Sequence, residues 1–232
     1  TVTIHDGKMK KAVYGGYAMA TGSTNKNHVN IHGGEVEQAI YGGRTEAAGS
    51  ANDNEVTITG GTLKKIHGGT AQGNGSANGN TVTVTGGTVN GDIVGGDANA
   101  KDASDNTVFL GAIAVDGGVF GGRSHGAGKT NDNTIHLQGT QVNGTVTGGN
   151  AANATGNTLV VHSHAGGSSI GDFSGIQNLR FYIETDAVSA ATPMLRLGIN
   201  AKDLTGIGIG VGVSGGAKVL DVGESIRLMQ TQ

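Results

Sequence analysis

Short stretches of alternating apolar and polar residues recur along the chain, and each copy opens with the same phrase. A period of two predicts a half-buried β-strand. The apolar positions of these strands are Val2/Ile4, Val29/Ile31, Val56/Ile58, Val82/Val84, Val108/Leu110, Ile135/Leu137 and Leu159/Val161. An asparagine precedes every copy but the first, at Asn27, Asn54, Asn80, Asn106, Asn133 and Asn157, with spacings of 24 to 27 residues. The pattern predicts an array of repeats of about 26 residues.

Two further apolar positions follow the first strand in each repeat. The second position is held by Met9, Val36, Leu63, Val89, Val115 and Val142, and the third by Val13, Ile40, Ile66, Ile93, Val119, Val146 and Ile170. In the seventh repeat Gly166 is assigned to the second position. Gly-Gly pairs separate the strands and permit sharp turns. Each repeat is therefore predicted to form three short strands that stack on their equivalents in the next coil.

These ladders of like residues predict an all-β fold, a right-handed parallel β-helix (β-solenoid) of about seven coils. Residues 1–175 are assigned to the coils. Residues 176–232 read differently and are predicted to form a β-rich C-terminal cap that covers the open strand edges. Within this region, strands are predicted over 178–183, 194–199, 207–213, 217–222 and 225–230.

The six repeat-initial asparagines, from Asn27 to Asn157, are predicted to form a structural ladder. Each side-chain amide can bond the backbone at its corner and the asparagines of the coils on either side. An asparagine also tolerates a turn with an unusual φ angle, which we expect at this position. Asp53, Asp105 and Asp132, which directly precede three of the asparagines, are interpreted as turn-capping residues.

Composition narrows the alternatives. The chain has 232 residues with 45 glycines, a single proline (Pro193), and neither cysteine nor tryptophan. Glycine does not recur at every third residue, which argues against collagen, and the regular return of Val, Ile and Leu argues against disorder. The net charge of −3 is too small to indicate a nucleic-acid or membrane-surface partner. Without cysteine there is no disulfide framework and no thiolate metal site.

The iterated phrases in residues 27–44 and 80–98, together with "LRFYI" and "VGESIRLM" in the tail, resemble the passenger region of bacterial type V autotransporters. The resemblance spans nearly the whole chain and implies the C-terminal part of a passenger. It implies export through an outer membrane, extracellular display at a bacterial cell surface, and a membrane barrel elsewhere in the same precursor. Because the sequence starts in mid-pattern, we expect it to be a segment of a longer protein.

We predict a non-enzymatic adhesin or rigid stalk without a cofactor. Its expected partner is a protein or glycan on a host or neighbouring cell, and self-association stays open. A ligand-binding stripe is predicted where an outward slot carries Tyr14, Tyr41, His67 and Phe120. Rings beside glycines offer flat apolar surface to sugars or proteins, although the same rings can simply stabilise the solenoid.

Two other kinds of site are weighed and set aside. His5 and His32 share a slot in adjacent coils, and His162 and His164 share one face of a strand, but no third metal ligand accompanies them. We therefore predict no metal site. A polysaccharide lyase or hydrolase remains the main alternative, but it needs clustered carboxylates or basic residues, whereas the acidic residues here are scattered. We accordingly predict no catalytic residues. A third alternative is a structural surface protein without a ligand.

Overall fold

The computed structural model describes residues 1–184, 191–213 and 225–232. In these ranges the chain forms two β-sheets and no helix, so no helix there could cross a membrane. The strands of sheet A are β1 (Val2–Ile4), β4 (His28–Ile31), β6 (Glu55–Ile58), β8 (Thr81–Val84), β11 (Thr107–Leu110), β14 (Thr134–Leu137), β16 (Thr158–His162), β18 (Asn178–Ile183) and β20 (Gly208–Val213).

The strands of sheet B are β2 (Lys8–Met9), β3 (Val13–Ala18), β5 (Glu35–Thr45), β7 (Thr62–Ala71), β9 (Thr88–Val89), β10 (Ile93–Ala98), β12 (Ala114–Val115), β13 (Val119–Ser124), β15 (Gln141–Gly149), β17 (Ser168–Ser174), β19 (Leu195–Leu197) and β21 (Met229–Gln230). Every pairing between the described strands is parallel. The predicted parallel β-solenoid is confirmed, with about eight turns where about seven coils were expected.

The core lies between the two sheets and consists of ladders of like apolar residues. Val56, Val82, Val108 and Ile135 stand in register in sheet A and are completely buried, as the repeat predicted. Facing them, Ile66, Ile93 and Val119 form an equally buried ladder in sheet B. Burial of each such side chain contributes about 1.5–3 kcal/mol, and the parallel stacking repeats this contribution in every coil.

The second and third strands of each repeat belong to one sheet. In β5, β7 and β15 a single strand runs through both positions, with register shifts between Val36 and Ala39 and between Val142 and Thr145. The assignment of the seventh repeat was wrong, because Ile170 pairs with Val142 at the second position and Phe173 with Val146 at the third. The turn before β17 is longer than in earlier coils, which displaces the pattern along the sequence.

The asparagine at the start of each repeat is hydrogen-bonded to its equivalents. The Asn106 side-chain oxygen accepts bonds from the backbone N–H and the side-chain amide of Asn80, at 2.9 and 3.0 Å. The same two bonds, each 2.9 to 3.0 Å long, join every neighbouring pair from Asn27 to Asn157. In the next coil Gln177 takes over, because its side-chain oxygen accepts the Asn157 N–H at 3.0 Å. A continuous row of hydrogen-bonded amide side chains thus runs along the solenoid.

The unusual backbone angle lies one residue before the asparagine. The φ angles there are +57° at Lys26, +56° at Asp53, +60° at Asp105 and +55° at Asp132, and glycines with positive φ hold the slot at Gly79 and Gly156. The expectation that the asparagine itself has this conformation is therefore wrong. Asp and Gly adopt the left-handed backbone conformation at low energetic cost, which explains why these residues occur at the corner.

The Gly-Gly pair that follows the third apolar position in the first six repeats is required by the asparagine ladder. A Cβ atom on Gly69 would lie 2.2 Å from the Ala51 carbonyl oxygen and 2.6 Å from the Asn80 amide, and Gly96 is equally crowded by Ala77 and Asn106. Neither glycine has a positive φ. The close approach of strand and ladder, and not a turn, explains these glycines.

The tail adds further coils to both sheets. Strands β18, β19, β20 and β21 lie at the predicted places 178–183, 194–199, 207–213 and 225–230, although β19 and β21 are shorter than expected. The strand predicted over 217–222 lies outside the described residues. Each tail strand pairs in parallel with the coil before it, and Leu179, Phe181 and Leu195 join the core. The role of residues 176–232 as a cap stays a prediction, tested below by truncation.

Candidate functional site

Two rows of side chains run side by side along the outer surface of sheet B. The first row contains Tyr14, Tyr41, His67, Val94, Phe120 and Thr147, and the second contains Tyr17, Arg44, Thr70, Asp97 and Arg123. Within one coil the two members are separated by a Gly-Gly pair, and in the first, second and fifth coils they contact each other. The Tyr14 and Tyr17 rings are 4.9 Å apart, and Arg44 donates a 2.8 Å bond to the Tyr41 hydroxyl. We call these residues the paired rows.

The predicted aromatic stripe forms the first row only in part. Tyr14 stacks on Tyr41 with ring centres 5.2 Å apart, and Tyr41 stacks on His67 at 5.0 Å. Val94, which is completely buried, separates His67 from Phe120. Phe120 instead packs under the Arg123 guanidinium, which lies 5.0 Å from its ring centre. Three of the four predicted residues therefore form one stack, and the fourth stands apart.

The expectation that His67 faces solvent is wrong, since only 7% of its surface is exposed. Asp97 of the next coil lies beside the ring, with 3.5 Å between His67 Nδ1 and Asp97 Oδ2. That separation is too long for a hydrogen bond, and Nδ1 is buried without a partner. Burial lowers the pKa of His67 to about 4 against the opposing charge of Asp97, so the ring is neutral at pH 7.

Asp97 is the centre of a compact charged cluster. Its carboxylate contacts Arg123 Nη2 at 2.8 Å and His125 Nε2 at 3.0 Å. Burial by itself would raise the pKa of Asp97, but the hydrogen bond and charge of Arg123, aided by the two histidines, outweigh it and lower the pKa. The carboxylate is therefore ionised, and the Arg123 guanidinium is its counter-charge.

The most exposed residue of the paired rows, Tyr17, lies in the first coil. Tyr17 is 47% exposed and Met19 is 76% exposed, whereas Tyr14 and Tyr41 are half-buried. Glu46 accepts hydrogen bonds from Tyr17 at 3.2 Å and from Arg44 at 2.7 Å, which fixes the polar edge of this surface. A flat, partly apolar patch with tyrosine hydroxyls is thus available to a ligand.

A second set of rings, on the outer surface of sheet A, was missed by the sequence reasoning. Phe109, His136, His162 and Tyr182 follow one another with ring centres 5.8, 5.3 and 5.9 Å apart. We call these four residues the aromatic column. His136 and His162 are also hydrogen-bonded, with 3.0 Å between Nδ1 and Nε2. Part of this column could have been predicted by aligning "NLRFYI" with "NTLVVH". The two segments pair in register, which places Tyr182 beside His162.

One of the two histidine pairs lies as predicted, and in the other pair His164 lies beyond the end of strand β16. His5 and His32 stack with ring centres 5.0 Å apart, as expected for one slot in adjacent coils. His162, however, contacts His136 and Glu184, and His164 accepts a bond from the Gly166 N–H at 3.3 Å. Within residues 1–184, 191–213 and 225–232, no group of three or more His, Asp or Glu side chains has the arrangement to hold a metal ion.

A comparison with protein-family models, curated proteins and solved structures gives no match to this chain. The parallel β-solenoid is therefore established by the structure alone, and the passenger assignment rests on the resemblance of the sequence.

Proposed function

We propose that the chain is a non-enzymatic segment of a surface-exposed passenger that acts as an adhesin or rigid stalk outside a bacterial cell. The observation that carries the proposal is the continuous asparagine ladder from Asn27 to Asn157, flanked by two parallel sheets. About eight turns at about 4.8 Å each give a rod of about 40 Å. Since each coil is bonded to both neighbours, such a rod resists bending and suits display.

The outer surface supports the binding part of this proposal. Tyr14, Tyr17 and Tyr41 present rings and hydroxyls in adjacent coils, and Met19 adds exposed apolar surface. Aromatic residues with a polar end are common in binding surfaces because they combine apolar area with a hydrogen-bonding group. The partner proposed is a protein or glycan on another cell surface.

An enzymatic alternative would use a cluster of ionisable side chains, such as the one around Asp97. Glycoside hydrolysis normally requires two carboxyl groups about 5–10 Å apart, one of them protonated. Asp97 is instead ionised, and its contacts are with Arg123, His125 and His67. This arrangement suits an ion pair that stabilises the rows better than an acid–base pair.

The proposal is tested with the purified chain coupled to beads. Adhesion of the beads to a panel of bacterial and eukaryotic cells is compared with adhesion of beads that carry an unrelated β-solenoid. In parallel, the soluble chain is incubated with a polysaccharide panel, and new reducing ends and unsaturated products are measured. Specific adhesion without turnover supports an adhesin. Turnover that is lost in Asp97→Asn contradicts the proposal, and absence of adhesion leaves only the stalk.

A further inference from the structure

The strand β20 carries glycine at every outward position, and at two of the three positions, Gly208 and Gly210, the packing leaves room for a side chain. In "GIGVGV" the glycines are Gly208, Gly210 and Gly212, paired with Asn178, Arg180 and Tyr182 of β18. None of the three has a positive φ. A Cβ atom on Gly210 would find no atom closer than Arg180 Cγ at 3.9 Å, and one on Gly208 would make ordinary contact with Asn178 at 3.4 Å. We call these three glycines the glycine floor.

The contrast with the other glycines is sharp. At Gly69 and Gly96 a Cβ atom would lie within 2.2 Å of a backbone oxygen, so the interior packing excludes any side chain. At Gly208 and Gly210 a β-branched residue would fit and would favour the strand. Glycine inside a strand that needs no special conformation often marks close approach by a ligand or another backbone.

The floor is bordered by a ring and an unpaired cation. Tyr182 stacks on His162 on one side, and its ring lies over Gly212, where a Cβ atom would be 3.0 Å from Cε1. Arg180 is exposed and forms no ion pair with any described residue. Together with the floor, Asn178, Arg180 and Tyr182 line a groove of about 300 Å³, at the lower end of the range for small-ligand sites.

We propose that this groove binds a sugar that carries a carboxylate, such as a uronic acid within an acidic glycan. The apolar C–H face of a pyranose ring would lie on the floor against Tyr182. The Arg180 guanidinium offers two parallel N–H donors that match a carboxylate, and the Asn178 amide can bond a ring hydroxyl. An extended peptide would instead pair with the edge of β20, the last strand of sheet A in the described residues, and an anionic peptide probe distinguishes this occupant from a sugar.

This inference rests on the proposed display role, because it names the class of ligand that the displayed chain would bind. The groove lies on sheet A, so it is separate from the tyrosine patch of sheet B. Loss of one surface therefore leaves the other intact, which allows the two proposals to fail independently.

The test uses the whole chain and trigalacturonate as probe, with its methyl ester as the matched neutral sugar and a tetra-glutamate peptide as the alternative anion. Binding is measured by calorimetry and by saturation-transfer NMR. We expect trigalacturonate to bind, and both the ester and the peptide to bind at least tenfold more weakly. Equal binding of the ester, or tighter binding of the peptide, overturns the assignment.

Variants locate the site. Arg180→Gln and Gly210→Val should each weaken binding at least tenfold. Thr83→Val, on the same outer face four coils before Arg180, should leave binding unchanged. Because the space beside Gly210 is open, Gly210→Val should melt no lower than the wild type. A lower melting temperature would show that the floor is already packed and would overturn the proposal, as would unchanged binding in Gly210→Val. If beads still adhere to cells but no acidic sugar binds, the ligand class fails and the adhesin proposal stands.

Discussion

The Nδ1 atom of His136 lies 3.0 Å from Nε2 of His162, whose own Nδ1 lies 3.1 Å from Glu184 Oε1. The bond between the two rings needs one donor and one acceptor, so it is broken when both facing nitrogens carry a proton. Burial, aided by the charge of His162 and opposed by Glu184, lowers the pKa of His136 to about 4. Stability should consequently depend on pH.

The first prediction concerns that dependence. A histidine in the unfolded chain has a pKa of about 6.5, whereas the pKa values of His136 and His67 are lowered to about 4 in the folded state. Above pH 6.5 these two histidines are neutral in both the folded and the unfolded chain, so they do not reduce the stability. Between pH 6.5 and 4 only the unfolded chain binds these protons, so the melting temperature should fall and then level off. For His67, which is nearly fully buried, the loss is up to about 3 kcal/mol.

The replacements His67→Val and His136→Phe copy residues found in the same slots of neighbouring coils, Val94 and Phe109. In the double variant the melting temperature should depend less on pH between pH 6.5 and 4. His164→Asn serves as a control for the loss of a partly exposed histidine. An unchanged slope in the double variant would contradict the assignment of these two groups.

The second prediction concerns the charged cluster. Arg123→Met leaves Asp97 buried without its main counter-charge and should lower the free energy of unfolding by about 3 kcal/mol. Asp97→Asn combined with Arg123→Met should recover most of this loss, since no buried charge remains. Urea unfolding at pH 7 measures both. If the double variant is no more stable than the single one, the cost comes from lost packing on Phe120 and not from the charge.

The third prediction concerns the asparagine ladder. Asn106→Ala removes the acceptor for two donors of Asn80 and one donor to Asn133, all of them buried. The free energy of unfolding should fall by about 3 kcal/mol. Asn27→Ala, at a partly exposed end of the ladder, should cost about 1 kcal/mol. Equal losses at the two sites would mean that the ladder does not stabilise the interior more than its end.

The fourth prediction concerns the tyrosine patch. Tyr14→Ser combined with Tyr41→Ser removes two stacked rings without changing the inward ladders of Val13 and Ile40. Adhesion of coated beads should drop at matched circular dichroism. The paired change Thr57→Ser and Thr83→Ser on sheet A is the control. Unchanged adhesion would move the binding surface away from these rings.

The fifth prediction concerns the C-terminal region. A chain that ends after residue 165 lacks β17 to β21 and exposes the edges of β16 and β15, together with the core that Leu179 and Phe181 cover. Free parallel edges promote association, so the truncated chain should aggregate and melt at a lower temperature. Light scattering and thermal melting test this. A monomeric truncated chain with unchanged melting would show that residues 176–232 are not a cap.

The sequence by itself determined the coils and their inward ladders. Because each repeat stacks on the next in register, local periodicity fixes long-range contacts, and Val56, Val82 and Val108 could be aligned from spacing alone. The same reasoning placed Asn80 and Asn106 at equivalent corners. It failed where the repeat was irregular, as at Ile170, since a longer turn shifts the pattern without changing the residue types.

Only the tertiary structure decided how the outer side chains meet. Tyr41 and Arg44 converge across a Gly-Gly pair because that segment approaches the asparagine ladder, a contact that no periodicity reveals. His67 lies beside Asp97 of the next coil, and Asp97 is in turn paired with Arg123 one coil further on. Contacts between outer side chains join neighbouring coils, often diagonally, so they depend on the length and charge of each side chain. Contacts between inward side chains depend on the alternation of apolar residues, which can be seen in the sequence.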